Sequence, residues 1–478
     1  MSVAIAQRWP RSGAASVSGT NDLLHHNVTL GMAAFIGLHV VVGPVFYNIR
    51  QFAVLHAFVV LMVVCWWAIS RNRPLEHLAY AGAYLTGAEV LWRVTRVSGY
   101  VVFWEFAKYL IVAVFVVGLI VRNRFAIRNQ LLPVLYFALL LPSAVIPLLE
   151  SSLSVAREDI SFNLSCPLAL AISVLFFGQL DRERLDTRRL LLAMIGPALS
   201  LAAITLHQTI VSEVDFSQYQ SIKATSGYFG ANQVSATLAL AALGALMVML
   251  EERASKGLRV LMFAVMMFLL IQSAMTFSRG GLYTFAGGAI VAFLCLVTDP
   301  QKRLRLLFVG VVVVALAYYV VVPALDRFTD GALLARFADT GTTGRDDLVE
   351  SDLSIWKEHP WLGVGPGQSV YHRDVSIVSA VGHTEFTRML AEHGAFGLGS
   401  LVVLGIMALR AARRRVGPAD KALALGGLAW SFLFMATTGM RMVAPAFMVG
   451  VSASGSNEAP ARLRAPYFRQ PRRSSIGN

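Results

Sequence analysis

Apolar runs of about 20 residues recur along most of this chain, parted by short polar connections. A run of that length is what an α-helix needs to cross a hydrocarbon layer of roughly 30 Å. The pattern predicts an all-α, polytopic transmembrane bundle of about 12–14 spans, since a β-barrel would show short alternating segments instead. The spans fall at roughly 29–48, 52–70, 76–95, 101–121, 131–149, 164–180, 190–210, 232–250, 258–276, 281–298, 305–323, 392–410, 422–438 and 441–453. The last is short and carries Pro445, which makes it a candidate for a dip into the membrane rather than a full crossing.

Composition agrees: the 478 residues are 56% hydrophobic and 14% charged, a balance that few soluble domains have. The net charge of +13 would suit a nucleic-acid partner, but the basic residues sit in short clusters between apolar runs, which reports topology. Every even-numbered connection is basic: Arg71 and Arg73, then Arg122 and Arg124, Arg182 and Arg184, Arg253 and Lys256, Lys302 and Arg303, and Arg413 to Arg415. These connections are therefore expected to be cytoplasmic, with both termini inside. The N-terminal segment to Asn27 has no apolar core with a cleavage site, so the first span is expected to direct insertion itself. Cys65, Cys166 and Cys295 have no metal-ligand spacing and receive no role. The expected organisation is a cytoplasmic tail at 1–28, a transmembrane bundle at 29–222, a catalytic membrane region at 223–453 that includes a periplasmic loop at 324–391, and a basic cytoplasmic tail at 454–478.

With that orientation, residues 211–231, the stretch "FSRGG" at 277–281 and the long segment 324–391 all face outward. Long structured loops are usually functional. Within the segment, residues 344–361 read as an amphipathic helix with Val349, Leu353 and Trp356 on one face. Asp346 and Asp347 suit its first turn and Lys357 its last, while Pro360 and "GVGPG" (363–367) stop it. No internal repeat of the kind found in inverted-repeat transporters is present.

Arg279 stands at the head of a span. Alone it is an interfacial anchor as readily as a ligand-binding group. Its neighbours sharpen the second reading. Ser278 is placed to N-cap the helix, and Gly280 and Gly281 leave the first-turn amides uncovered, a pattern suited to phosphate at the membrane surface. Arg345, in "TTGRDD", is either a solvated partner of Asp346 or Asp347 or a second outward cation. His383 precedes a helix, where the positive helix end disfavours imidazolium and leaves a neutral ring able to accept a proton. Glu385 is a nearby alternative, and Glu392 and His393 are expected on the surface at the helix start. Lys223, in "KATSGYFGANQ", is a further outward cation or a plain loop lysine. The carboxylates of the loop match no defensible metal geometry.

The order of pieces, "SGYFGANQVSATLAL", "FSRGG", two more spans, "GR…IW…HPWLGVGPG", then a histidine and "EHGAFGLG", resembles the O-antigen ligase and O-antigen polymerase superfamily over about 223–450. The resemblance implies a GT-C-like membrane glycosyltransferase in the bacterial inner membrane, with its active site on the periplasmic side. Its partners would be an undecaprenyl-diphosphate-linked glycan donor, an acceptor that is glycan, lipid A core or protein, and the bilayer, with no nucleic acid, cofactor or metal. On the matching positions Arg279 and Arg345 would grip diphosphate and His383 would serve the acceptor. Lys223, Ser278, Gly280 and Trp356 are the candidate substrate-binding residues. Family members often carry arginine where this chain has Lys223, and asparagine where it has Thr384. Ligase, polymerase and protein oligosaccharyltransferase stay open. A flippase of lipid-linked oligosaccharide is the alternative from another class. It predicts charge deep within spans, whose middles here read as nearly charge-free.

Overall fold

The computed structural model describes residues 17–97, 105–124, 130–212, 214–216, 222–252, 254–339, 341, 345–373, 384–413 and 417–455. Its first half contains α1 (Val17–Asn48), α2 (Arg50–Ile69), α3 (Glu76–Val94), α4 (Phe106–Val121), α5 (Leu131–Ala138), α6 (Val145–Glu150), α7 (Leu153–Phe177) and α8 (Thr187–Val211). Next come α9 (Ala231–Leu250), α10 (Lys256–Met275), α11 (Arg279–Leu296), α12 (Pro300–Leu316), α13 (Val322–Phe328), α14 (Ala332–Ala338) and α15 (Arg345–Glu358). The last three are α16 (Glu385–Arg413), α17 (Pro418–Thr437) and α18 (Ala444–Ser452). No strand occurs among the described residues. Eleven helices or helix pairs are long and apolar enough to cross a membrane, and the protein is a multi-pass helical membrane protein.

Each of the fourteen predicted segments coincides with a helix or a broken pair, and the departures have local causes. The fifth is split into α5 and α6 because Pro142 and Pro147 each remove a helical N–H. The sixth begins at Leu153, eleven residues before its predicted start, since polar residues on the first turns of α7 mask the apolar pattern. The last contains only the nine residues of α18, ~14 Å of helix. That is under half the membrane thickness, and α18 is preceded by the non-helical residues 438–443. One hydrophobic core draws on residues from Ile36 in α1 to Ala453 just past α18.

The bundle has two distinguishable ends. At the basic end, Arg182 pairs with Asp420 at 2.5 Å, tying the α7–α8 connection to the start of α17, and Arg188 with Glu251 at 2.8 Å, tying the start of α8 to the α9–α10 connection. The opposite end, called here the loop end, carries α13 to α15 and the first turns of α7, α9, α11 and α16.

Candidate functional site

Residues 438–443, ahead of α18, are non-helical, and beyond the bonds of Thr438 N–H to Phe434 O at 2.8 Å and of Arg441 N–H to Gly439 O at 2.7 Å, most of their backbone groups have no helical partner. Backbone polar groups inside an apolar layer must still be satisfied. Four side chains do this. Glu385 accepts from Met440 N–H at 2.7 Å, and Arg93 donates to the Arg441 carbonyl at 3.1 Å. The Cys166 thiol donates to the Met442 carbonyl at 3.3 Å, and Glu89 accepts from Val443 N–H at 2.6 Å. Arg93 also pairs with Glu89 at 2.6 Å and donates to Gln233 at 2.9 Å. The charges are thus buried where the chain gives up helical hydrogen bonds. The span middles were expected to be nearly free of charge, and the buried charges lie toward the helix ends: Glu89, Arg93, Lys108, Glu385, Arg388 and Glu392 are all less than a tenth exposed. Each lies within the loop-end turns of its helix, where a hydropathy window averages it away.

The head of α16 is an ion cluster. Arg388 donates to Glu385 at 2.5 Å, to Glu392 at 2.6 Å and to Asn163 of α7 at 3.0 Å. Glu392 and His393, expected on the surface, are instead enclosed, because α16 begins inside the bundle and the chain folds back over it. The imidazole of His393 pairs with the Ser143 hydroxyl between α5 and α6. Arg441 lies beside this cluster.

Residues 359–373 form a strap over α16. Gly394 (φ 56°, ψ −134°) breaks α16 and releases the carbonyls of Ala391 and Glu392. The amides of Val364 and Gly365 take them at 3.0 and 2.9 Å, while Ala395 N–H turns to Pro360 O at 2.8 Å. The "GVGPG" motif therefore docks as well as stops. A Cβ on Gly363 (φ +66°) would stand 2.4 Å from the Glu392 carbonyl carbon, and one on Gly367 (φ +81°) 2.7 Å from the Asn163 amide. Strap, α7, α16 and residues 439–441 enclose a cavity of about 180 Å³. Asp159, Asn163, Arg388, Glu392 and Arg441 supply its polar wall.

The "FSRGG" turn is packed nearby. Arg279 is the first residue of α11, and its guanidinium donates to the backbone carbonyls of Asp339 and, at 2.7 Å, of Gly341. Ser278 does not cap the helix. Its hydroxyl donates to Asn232 at 2.7 Å, next to the Gln233 held by Arg93, because Phe277 (φ 58°) turns the chain toward α9. Gly281 has no room for a side chain against Ser235, but a Cβ on Gly280 would meet nothing nearer than 3.8 Å, at Ser278 and Thr437. Lys223 is exposed and begins the short turn Ala224–Ser226.

The loop helix forms, with its buried face one residue away from the prediction. Leu348, Asp352 and Ile355 are buried, while Val349, Leu353 and Trp356 are half-buried. The reason is polar. Asp352 receives Arg373 at 2.6 Å and Thr387 at 2.9 Å, so a carboxylate holds the position that periodicity gave to an apolar residue. The Trp356 indole N–H is enclosed without a hydrogen-bond partner. Contacts pair Asp352 with Thr387, and Ile355 clusters with Ala391, so α15 and α16 run parallel with their first residues at the same end. Arg345 opens α15 four residues after the Gly341 that Arg279 holds. His383 lies outside the described residues and immediately precedes Thr384, which receives the Thr387 amide at 3.1 Å.

Sequence reasoning thus missed Glu89, Arg93, Asn163, Arg388 and Arg441. The available signal was the i,i+4 Glu–Arg spacing in α3 and the Glu-x-x-Arg-x-x-x-Glu spacing at the head of α16, each of which lines charges along one helix face.

Residues 262–402 match a family model described as O-antigen ligase. The matched stretch takes in the positions of Arg279, Arg345, Trp356 and His383 and leaves out Lys223. No curated protein matches the chain.

Proposed function

We propose, from the O-antigen ligase domain at 262–402, that this membrane protein moves or polymerises glycan from an undecaprenyl-diphosphate carrier onto an acceptor hydroxyl. The reaction takes place at the periplasmic face of the bacterial inner membrane. The observation that carries this reading is the hold of Arg279 on residues 339 and 341, which draws the segment leading to Arg345 onto the head of α11. The backbone carbonyls that Arg279 now holds are neutral ligands, and an anionic diphosphate competes with them on charge.

In this reading Arg279 and Arg345 bind the diphosphate, with Lys223 as a helper and the amides near Ser278 and Gly280 adding the helix dipole. Trp356 of α15 contacts the same substrate in this reading. The acceptor oxygen bonds to the anomeric carbon as the bond from that carbon to the phosphate oxygen breaks, inverting the centre. His383 takes the hydroxyl proton. The diphosphate leaves with the electron pair and needs charge stabilisation, which the guanidinium groups provide without a metal ion. Holding donor and acceptor together supplies proximity.

The test is reconstitution with undecaprenyl-diphosphate-linked glycan, offering lipid A core, glycan and peptide acceptors in turn. Chain-length distribution separates polymerisation from single transfer. Arg279→Ala and Arg345→Ala should each lower transfer about a hundredfold or more with the protein still in the membrane. Full activity in both variants removes the clamp. His383→Ala should reduce turnover more than donor binding. A second reading, transport of the lipid-linked glycan, draws on the non-helical residues 438–443 and the buried carboxylates of Glu89 and Glu385 that hold them, features that transporters use at substrate sites. Donor reaching the opposite leaflet without transfer would favour it.

A further inference from the structure

The cavity under the strap differs in electrostatic character from the head of α11. Its charged lining balances: Asp159 and Glu392 oppose Arg388 and Arg441. A diphosphate placed there would face two carboxylates, and an ammonium group would face two guanidiniums. An uncharged polyol suits both kinds, because its hydroxyls donate to carboxylate oxygens and accept from guanidinium N–H groups. Arg388 and Glu392 are 6% and 2% exposed and locked to each other, so they form fixed walls.

Asp159 is the adaptable member. One of its oxygens accepts from Gln368 of the strap at 2.8 Å, and an ionised carboxylate has about four lone-pair positions in all. Phe162 gives the same wall an aromatic surface, and Tyr371, 66% exposed, stands at the rim. Aromatic faces of this kind pack against the C–H face of a pyranose while polar groups read its hydroxyls. About 180 Å³ admits a ring-sized group.

The two sites share a border. Thr437 is the neighbour of Gly280 on the α11 side, and Gly439 to Arg441 line the cavity on the other. We infer that the cavity under the strap is a subsite for one uncharged sugar ring, read by Asp159 and stacked by Tyr371, beside a separate phosphate-holding head of α11. The origin of the sugar, donor or acceptor, rests on the glycan-transfer reading above; the subsite itself does not.

The full chain in lipid nanodiscs is examined by saturation-transfer NMR. The probes are the methyl glycosides of glucose, galactose, mannose, rhamnose, N-acetylglucosamine and glucuronic acid. At least one neutral glycoside should bind and the glucuronide should not. Asp159→Asn should weaken the neutral probe about tenfold. It should also admit the glucuronide, an effect that mere misfolding does not produce. Where Asp159→Asn fails to fold, Tyr371→Ala decides, since its side chain is outside the buried network, and the same weakening is expected. Absence of neutral binding, preference for the glucuronide in the unmodified protein, or unchanged binding in the folded variants overturns the subsite. Competition by undecaprenyl-diphosphate-linked glycan assigns the ring to the donor, and simultaneous binding assigns it to the acceptor. Binding of undecaprenyl diphosphate alone, followed by native mass spectrometry in Arg279→Ala, tests the donor reading independently. Its failure leaves the glycoside result standing.

Discussion

The Glu89 carboxylate receives the backbone N–H of Val443 at 2.6 Å, joining residues 354 positions apart. Its other oxygen holds Arg93 at 2.6 Å, and Arg93 in turn holds the carbonyl of Arg441. One acidic side chain on α3 therefore helps fix the non-helical residues 438–443, of which Gly439 to Arg441 line the cavity.

Glu89→Leu should destabilise the protein by ~3–5 kcal/mol, because it leaves the Arg93 charge and the Val443 amide buried without their acceptor. Glu89→Gln, which keeps one acceptor oxygen, should cost less. Thermal melting in detergent measures both. Equal melting of Glu89→Leu and the unmodified protein would show that residues 438–443 are held by other means.

Lys108, the third residue of α4, is fully buried, and its ammonium has no hydrogen-bond partner; it rests 5.4 Å from the ring centre of Phe162, which lines the cavity. Lys108→Met should raise stability by ~1–3 kcal/mol, since an uncompensated buried charge is replaced by a side chain of similar volume. If the ammonium contributes to substrate capture behind Phe162, transfer should drop in the same variant. Higher melting temperature with lower activity separates that role from a packing role.

The two glycines of "FSRGG" should part company. A Cβ at Gly281 would meet the Ser235 hydroxyl at 2.1 Å and its carbonyl oxygen at 2.6 Å, so Gly281→Ala should cost ~1–3 kcal/mol. Gly280→Ala meets nothing nearer than 3.8 Å and should melt like the unmodified protein. Covering the first-turn amides should nonetheless reduce donor binding. Unaltered donor binding in Gly280→Ala would argue that bare backbone at that position is not used.

The sequence by itself determined the all-helical membrane bundle, its turning points and the "FSRGG", "HPWLGVGPG" and "EHGAFGLG" landmarks. Hydrophobic length and loop charge are local quantities, written residue by residue. Only the tertiary structure decided which charges are buried and what they serve. Nothing local in the sequence ties Glu89, Arg93 and Glu385 to residues 438–443, yet these side chains meet the Val443 N–H, the Arg441 carbonyl and the Met440 N–H there. The face of α15 shifted for the same reason: Asp352 is buried because Arg373 and Thr387 reach it, and neither lies on its helix. Hydrogen-bond demand created by one unwound segment is met by side chains distant in sequence, and no periodicity within a single helix carries that information.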